Sequence, residues 1–538
     1  MFISYSLKPF HLQLLEAAEH HGEALAITNY ITKRSTTFNV LRKKAYQLGA
    51  ALFNQIGVKK GDIVLVFLNN SIEYVEAFLG ASLIGATISG MNPSSSTDDI
   101  RYAFELTKAR CIICHTSNYD KVAELVDEMK IIVQDKKESQ IGDDYDSLFS
   151  LWKTKNVKEL QEILPNINTS ISDDLITPFS SGTTGNPKCV RLSHRNFNCV
   201  TSVLKSALFD KISGSSKRAT LAMLPFYHVS GFWPLCYCLL EGHHSIVLEQ
   251  FNTGLALEII EKYRIDTINV IPSIINFLCK NREMIQKYDV SSVKTALVGS
   301  APLGKGMSEE FLKTFPKLEN LLQGYGMTEL CVLSHITPLG NVEGKCYEKK
   351  LGSVGKLLPG FEAKIVDADM AVEIFEPNMT GELWLKSDAL MNGYLNDDEA
   401  TGEALDYKGW LHTGDIVYVD KDGFYYVTGR IKDLIKVHGL QVTPDEIEDK
   451  LKKHEAVFDC GVIGIGCDRC GEVPKAFVVL KEGYEKVKGK DILNWVHKIL
   501  SPYKHIKGGI QFVNEIPRTP SGKVLRRELK LWEESTLC

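Results

Sequence analysis

The sequence predicts an α/β fold, with a large N-terminal domain of parallel-sheet α/β subdomains and a small α+β domain after it. Three observations carry this. The chain has 538 residues, too many for one hydrophobic core. Short apolar runs alternate with amphipathic stretches over most of its length, as strands joined by crossover helices do. Near Arg430–Asp433 the pattern changes, and about a hundred residues remain, enough for a second, smaller domain.

Taken in order, "GDIVLVFLN" reads as a strand, "SIEYVEAFLGASLIG" as a helix and "ATISGMNP" as a strand ending in a turn. "KARCIICHT" is strand-like and "YDKVAELVDEMK" helix-like. "IDTINVIPSIINFLCK" and "VKTALVGSAPLG" continue the alternation, and "KISGSSKR" reads as a surface loop. "YVDKDGFYYVTGR" is a hairpin with Asp-Gly at its turn. Beyond it, "TPDEIEDKLKKH" has the acidic first turn of a helix, and "VFDCGVIGIG" and "PKAFVVLK" read as strands. The boundaries expected are 1–430 and 431–538.

Composition sets limits. Apolar residues make up 44% and charged residues 24%, ordinary for a globular protein. A net charge of −5 gives no electrostatic footprint for nucleic acid. Thirteen cysteines are scattered. Cys111/Cys114 and Cys467/Cys470 form two CxxC pairs too far apart in sequence to read as one zinc site, and packed thiols are expected instead. The opening residues lack a basic start and a long apolar run, and "STLC" is not a Ser-Lys-Leu type address. The expectation is a cytoplasmic protein, the alternative being a peroxisomal one without a recognisable C-terminal signal. Ala219 to Leu240 is apolar enough to suggest a span, but Pro225, His228, Ser230 and Pro234 favour a buried segment with one functional histidine.

The sharpest local signal is "PFSSGTTGNPK". Ser180, Ser181, Thr183 and Thr184 offer hydroxyls, Gly182 and Gly185 permit close backbone approach, and Lys188 adds a charge, a combination that suits phosphate oxygens. Cys189 after Lys188 excludes a Walker A loop. Alone, the segment also reads as a flexible Ser/Gly/Thr turn. Further on stand "QGYGMTE", "WLHTGD" and "IPRTPSGKVLRREL".

In order and spacing these four segments resemble the adenylate-forming superfamily of acyl-CoA synthetases, 4-coumarate–CoA ligases and firefly luciferase. "GMNPSSSTDDIRY", "MLPFYHVSGF", "GSAPLGKG", "TGELWLKSDALMNGYLND" and "GRIKDLIKVHGLQVTPDEIE" extend the resemblance to roughly residues 20–530. It implies an ATP-dependent carboxylate–CoA ligase that forms an acyl-adenylate and then a thioester, with Mg²⁺ as cofactor and a carboxylic acid, ATP and CoA as substrates. Under the resemblance, Ser180 to Gly185 and Lys188 cradle the β- and γ-phosphates, and Glu329 holds the metal. Thr328 contacts the α-phosphate. Tyr325 packs on adenine opposite Ser300, Ala301 and Pro302, with Gln323, Gly324, Gly326 and Met327 completing the nucleotide segment. Asp415 accepts the ribose hydroxyls, Arg430 reaches the ribose, and Lys523 bridges carboxylate and α-phosphate.

A lone histidine in an apolar run is ordinarily a core residue, but the resemblance puts His228 at an acyl pocket with Val229, Ser230, Gly231, Gly324, Leu330 and Val332. Lys436, His438 and Gly439 are implied at CoA. Lys432 is the implied hinge about which a mobile C-terminal domain turns between half-reactions. Four positions depart from the family pattern, namely Cys189, Ser387, His438 and Gln250. Cys189 would impair the phosphate loop if its backbone required positive φ. Loading a carrier protein, luciferase-like oxidation and an ATP-binding homologue without chemistry stay open as other readings.

Overall fold

The computed structural model describes residues 3–125, 129–134, 146–147, 151, 162, 164, 167–180, 187–212, 218–301, 303–339, 350–367, 370–438, 440–467, 471–518 and 523–537. Among the described residues the strands form five sheets, and four of them contain parallel pairing.

The central sheet grows from the strands read in the sequence. Ile63–Phe67 pairs in parallel with Thr87–Gly90 on one side and Cys111–Cys114 on the other. All three strands are buried along their whole length, as expected where helices cover both faces. The period of two sends Cys111 and Cys114 to opposite faces, each into a different hydrophobic core. A shared metal on this pair is therefore excluded by geometry. Helix Ile72–Leu83 starts where the Ser71 hydroxyl accepts the Tyr74 N–H. It crosses helix Phe38–Ala51 so closely that a Cβ on Gly80 would lie 3.1 Å from the Leu48 Cβ. Among the described residues of "YDKVAELVDEMK", Tyr119–Val122 is α-helical and Ala123–Leu125 is a 3₁₀ turn.

Ala219–Ala222, His244–Val247 and Leu25–Asn29 make a second sheet with parallel pairing. Thr267–Val270, Thr295–Val298 and Asn320–Tyr325 make the parallel part of a third. These two sheets share one core, in which Leu221 and Ile246 pack with Ile268 and Ala296. The apolar segment Ala219 to Leu240 resolves into a strand and the helix Val229–Glu241. No helix among the described residues is long and apolar enough to cross a membrane.

The fourth sheet differs from the expected parallel pattern. Glu362–Val366, Gly381–Lys386, Leu411–Val419 and Tyr425–Arg430 pair antiparallel throughout. The predicted hairpin is its last pair, with Gly423 at φ 79 in the turn. The fifth sheet joins Ile435–Val437, Gly471–Leu480, Val457–Cys467 and Ile510–Phe512, with helix Pro444–Leu451 against it and a core of its own. A large N-terminal part and a small C-terminal α+β part are thus both present. Between them the Lys280 ammonium sits 3.5 Å from the centroid of the Phe458 ring, which stays 49% exposed even so. Arg526 ties the C-terminal part together, reaching Glu448 at 2.8 Å, Asp445, and Asp433 in the turn that follows Arg430.

Candidate active site

A cavity of about 520 Å³ opens where the sheets meet. Strands Thr295–Val298 and Asn320–Tyr325 point their C-terminal ends into it, the usual ligand position in open parallel sheets. Beyond the first strand, Ser300 takes φ 72, and beyond the second the chain doubles back at Gly326. A Cβ on Gly326 would stand 1.8 Å from the Val332 carbonyl oxygen, so only glycine fits this reversal. The reversal delivers Thr328 and Glu329 to the cavity wall on a 3₁₀ turn, Thr328–Leu330.

Glu329 is buried, and its Oε1 accepts the Tyr394 hydroxyl at 3.0 Å. Lys188, first residue of strand Lys188–Ser193, holds its ammonium 4.8 Å from the Tyr394 ring centroid. Ser180 lines the cavity beside it. Ser181, Gly182, Thr183, Thr184, Gly185, Pro302 and Gly439 lie outside the described residues.

Asp415 sits opposite Arg430 in the ladder of the antiparallel sheet. Its two oxygens are shared out: Oδ1 accepts Arg430 Nε at 2.9 Å, and Oδ2 accepts the Tyr325 hydroxyl at 2.6 Å. The Asp415 charge raises the Arg430 pKa further above its ordinary value. Burial first, then Asp415, pushes the Tyr325 phenol well up, so it stays a donor. Ser300, Gly324, Gly326 and Met327 line the cavity, with Gln323, Tyr325 and Asp415 buried, and Ala301 half-buried, next to lining residues in the chain.

His228 caps the helix Val229–Glu241. Its Nδ1 accepts the Ser230 N–H at 3.3 Å and lies 2.8 Å from the Ser230 hydroxyl, which leaves the ring proton to Nε2. Burial, and secondarily the Lys523 charge, lowers the His228 pKa to about 4, so the ring is neutral near pH 7.

Lys523 comes from the far end of the chain yet lines the same cavity. Burial and the Arg430 charge lower its pKa, while Asp415 and Glu329 oppose the shift. Lys432, on the turn Ile431–Asp433, lines the cavity as well. Val229, Ser230 and Val332 also reach the wall. Leu330 corrects the expectation for the acyl pocket: the 3₁₀ turn aims it backwards, and it is fully buried in the main core. Leu333 lines the cavity on that side. Gly231 turns away too, since a Cβ there would meet the Pro225 carbonyl oxygen at 2.3 Å. Lys436 and His438 lie outside the cavity on the hairpin of Ile435–Val437 and Leu440–Val442, both exposed, His438 at φ 50.

Cys189 does not have the positive φ that would have impaired the phosphate segment. It lies inside an extended strand and is absent from the left-handed positions, and its buried thiol donates to the Thr177 carbonyl oxygen at 3.3 Å. Tyr394 is a cavity-lining residue that sequence reasoning missed. It stood inside the segment "MNGYLND", but only the fold puts its hydroxyl on Glu329.

The family model described as AMP-binding enzyme matches residues 14–395. The chain belongs to the AMP-binding enzyme family. A second model, the AMP-binding enzyme C-terminal domain, matches residues 446–523, so the family's C-terminal module is also present. Among family relatives, acyl-CoA synthetase 7 of Caenorhabditis elegans is 35% identical, over 97% of this chain and 96% of its own length. The 4-coumarate–CoA ligase 1 of Petroselinum crispum is 33% identical, over 97% and 93%. Solved structures share the fold. ATP-bound MatB from Rhodopseudomonas palustris superposes with a TM-score of 0.82 at 21% identity, covering 97% of this chain and 98% of that one. The anthranilate CoA ligase AuaEII in complex with anthranoyl-AMP gives 0.81 at 23%, covering 99% and 98%. The resemblance to adenylate-forming enzymes read in the motifs is thereby established.

Proposed function

We propose that the chain is an ATP-dependent carboxylate–CoA ligase of the AMP-forming kind. The observation that carries this reading is Lys523, a lysine of the C-terminal part half-buried in the cavity, where it feels the charges of Glu329, Arg430 and Asp415 and acts on His228. Both reactants of adenylation are anions, so the reaction needs positive charge where carboxylate and α-phosphate meet. Lys523 supplies it on a flexible stem. The carboxylate oxygen attacks the α-phosphorus, the bond to pyrophosphate breaks, and an acyl-adenylate remains. The CoA sulfur then attacks the acyl carbon, its proton is lost, and AMP leaves.

In this reading Thr328 donates to the α-phosphate, and Lys188 with the segment Ser180 to Gly185 receives the β- and γ-phosphates. Asp415 keeps lone pairs for the ribose hydroxyls while Tyr325 and Arg430 hold it in place. Tyr325 is thus a positioning residue for Asp415 as well as an adenine neighbour. His228 offers a neutral Nε2–H to the acyl carboxylate. Glu329 suits Mg²⁺: it is a buried carboxylate on the cavity wall, and no cluster of three or more metal-ligating side chains occurs among the described residues. One protein carboxylate plus phosphate oxygens is the ordinary way to hold this ion. Bound there, the ion neutralises phosphate charge. The parts 1–430 and 431–538 turn about Lys432. Lys436, His438 and Gly439 then replace Lys523 at the site for the CoA step.

The test is ATP–pyrophosphate exchange across a panel of carboxylic acids, repeated with CoA and mass detection of the thioester. Exchange with thioester is expected. Exchange without thioester would move the acceptor to a carrier thiol, and no exchange with any acid would sink the reading.

A further inference from the structure

The cavity does not stop at His228. It follows one face of helix Val229–Glu241 through Val229, Ser230, Trp233, Pro234, Tyr237 and Cys238. At 1.5 Å per residue this face is about 14 Å long. Its middle is apolar and aromatic, with Leu208, Trp233 and Phe209, whose ring stacks on Tyr237 at 4.4 Å. Its far end is polar. Arg218, Thr220, His243 and Thr267 meet there, contributed by the edges of two parallel sheets.

This polar end is an assembled group rather than a scatter of surface residues. The Arg218 side chain is only 12% exposed, and its Nη1 donates to Asp266 Oδ1 at 2.8 Å and to Thr267 Oγ1 at 3.4 Å. The Arg218 backbone N–H is donated to His243 Nδ1 at 3.4 Å, which assigns the ring proton to Nε2. Burial, and next the Arg218 charge, lowers the His243 pKa to about 4, so the ring is a neutral donor. A hydrocarbon terminus here would strip water from these groups and return no hydrogen bond. A second carboxylate would add an uncompensated negative charge to a pair already balanced by Asp266. An uncharged oxygen that accepts a hydrogen bond satisfies both limits.

We propose that the acid activated at this site spans the face of helix Val229–Glu241 and carries an uncharged oxygen, hydroxyl or carbonyl, at its far end, received by Arg218 and His243. This rests on the ligase reading and names the acid class that goes with it. It makes Arg218 and His243 specificity residues remote from the reacting atoms.

The test uses the full chain in ATP–pyrophosphate exchange with straight-chain acids of increasing length, each supplied with a methyl, a hydroxyl or a carboxylate terminus. At the length that reaches Arg218, the hydroxyl form should exceed the methyl form in kcat/KM by about tenfold or more, and the carboxylate form should be the poorest. A keto-terminated acid of that length should behave like the hydroxyl form. In Arg218→Met and His243→Leu the hydroxyl-to-methyl ratio should fall towards one, and Arg218→Lys should restore part of it. The ratio compares two acids on one protein, so a loss of folded enzyme leaves it unmoved. Equal rates for hydroxyl and methyl forms at every length, or a best carboxylate form, would overturn the proposal, as would variants that lower all acids without changing the ratio. No exchange with any acid would mark the failure of the ligase reading instead; the same acid pairs ranked by thermal shift with ATP present would then decide the polar end by itself.

Discussion

At the scale of single residues, the site depends on charges held away from water. Burial and the Arg430 charge lower the Lys523 pKa, and Asp415 and Glu329 oppose the shift. Replacing it by alanine should lower adenylation by a factor of about 10² to 10³, the usual loss for a preorganised charge. Thioester formation from supplied acyl-AMP should survive, because the CoA step uses the other pose. Equal loss in both steps would refute the division of labour. Tyr325→Phe removes a donor from a buried carboxylate, an interaction class worth about 1.5–3 kcal/mol. KM for ATP should rise by tenfold or more while the apparent affinity for the acid holds. Single residues were also where the sequence was most readable. Lys188, Thr328, Glu329 and Lys523 reach one cavity although they come from three distant stretches of the chain. Tyr394 and Arg218 were not readable, because an isolated tyrosine and an isolated arginine look like any others until folding gives them Glu329 and Asp266 as neighbours.

Elements set what those residues can do. The reversal at Gly326 works because nothing stands between its Cα and the Val332 carbonyl. Gly326→Ala should cost about 1–3 kcal/mol of stability through overpacking, and it should lose more activity than stability because Thr328 and Glu329 ride on the displaced turn. Thermal unfolding read beside exchange activity separates the two. In the C-terminal part, Arg526 compensates the buried Glu448. Arg526→Met should destabilise that part by about 3–5 kcal/mol, read as faster amide exchange along strand Val457–Cys467. Regular elements were legible where periodicity was strong, as in Ile63–Phe67 and Ile72–Leu83. The tightening at Ala123–Leu125 within "YDKVAELVDEMK" was not, since the apolar spacing runs through it unchanged. Leu330 was misplaced for a related reason: spacing gives sequence neighbours, and a 3₁₀ turn sends successive side chains to different walls.

For the whole molecule, acid sensitivity follows from where its histidines lie. Burial lowers His11 and His335 to about 3, and His194, His228 and His243 to about 4. In the unfolded chain these rings take up protons near pH 6.5, and in the fold they refuse them. The stability they contribute is complete above pH 6.5 and is lost as the pH falls towards 4. Each unit of depression corresponds to about 1.4 kcal/mol. Glu76, raised to about 8 by burial, opposes them: its contribution is complete below its ordinary value and declines as pH rises. Among the described residues seven rings in all are lowered, His244 and His497 included, against four carboxyls raised by burial, Glu76, Asp433, Glu448 and Asp449, which leaves a net loss on acidification. Melting temperature should therefore fall steeply from pH 6.5 to 4.5, and a flat profile there would refute the assignment. The two-part architecture was legible as a change of pattern near residue 430. The antiparallel sheet before it was legible only in its last hairpin, because pairing between distant strands leaves no local trace.

The walls of the cavity belong to different sheets, and its shape is a property of how they meet rather than of any one core. A lineage could exchange a residue such as Arg218 or His243 and acquire another diet of acids while every sheet kept its own interior. Heritable foldedness and heritable preference are written in different places, so this architecture can diversify its chemistry without being rebuilt.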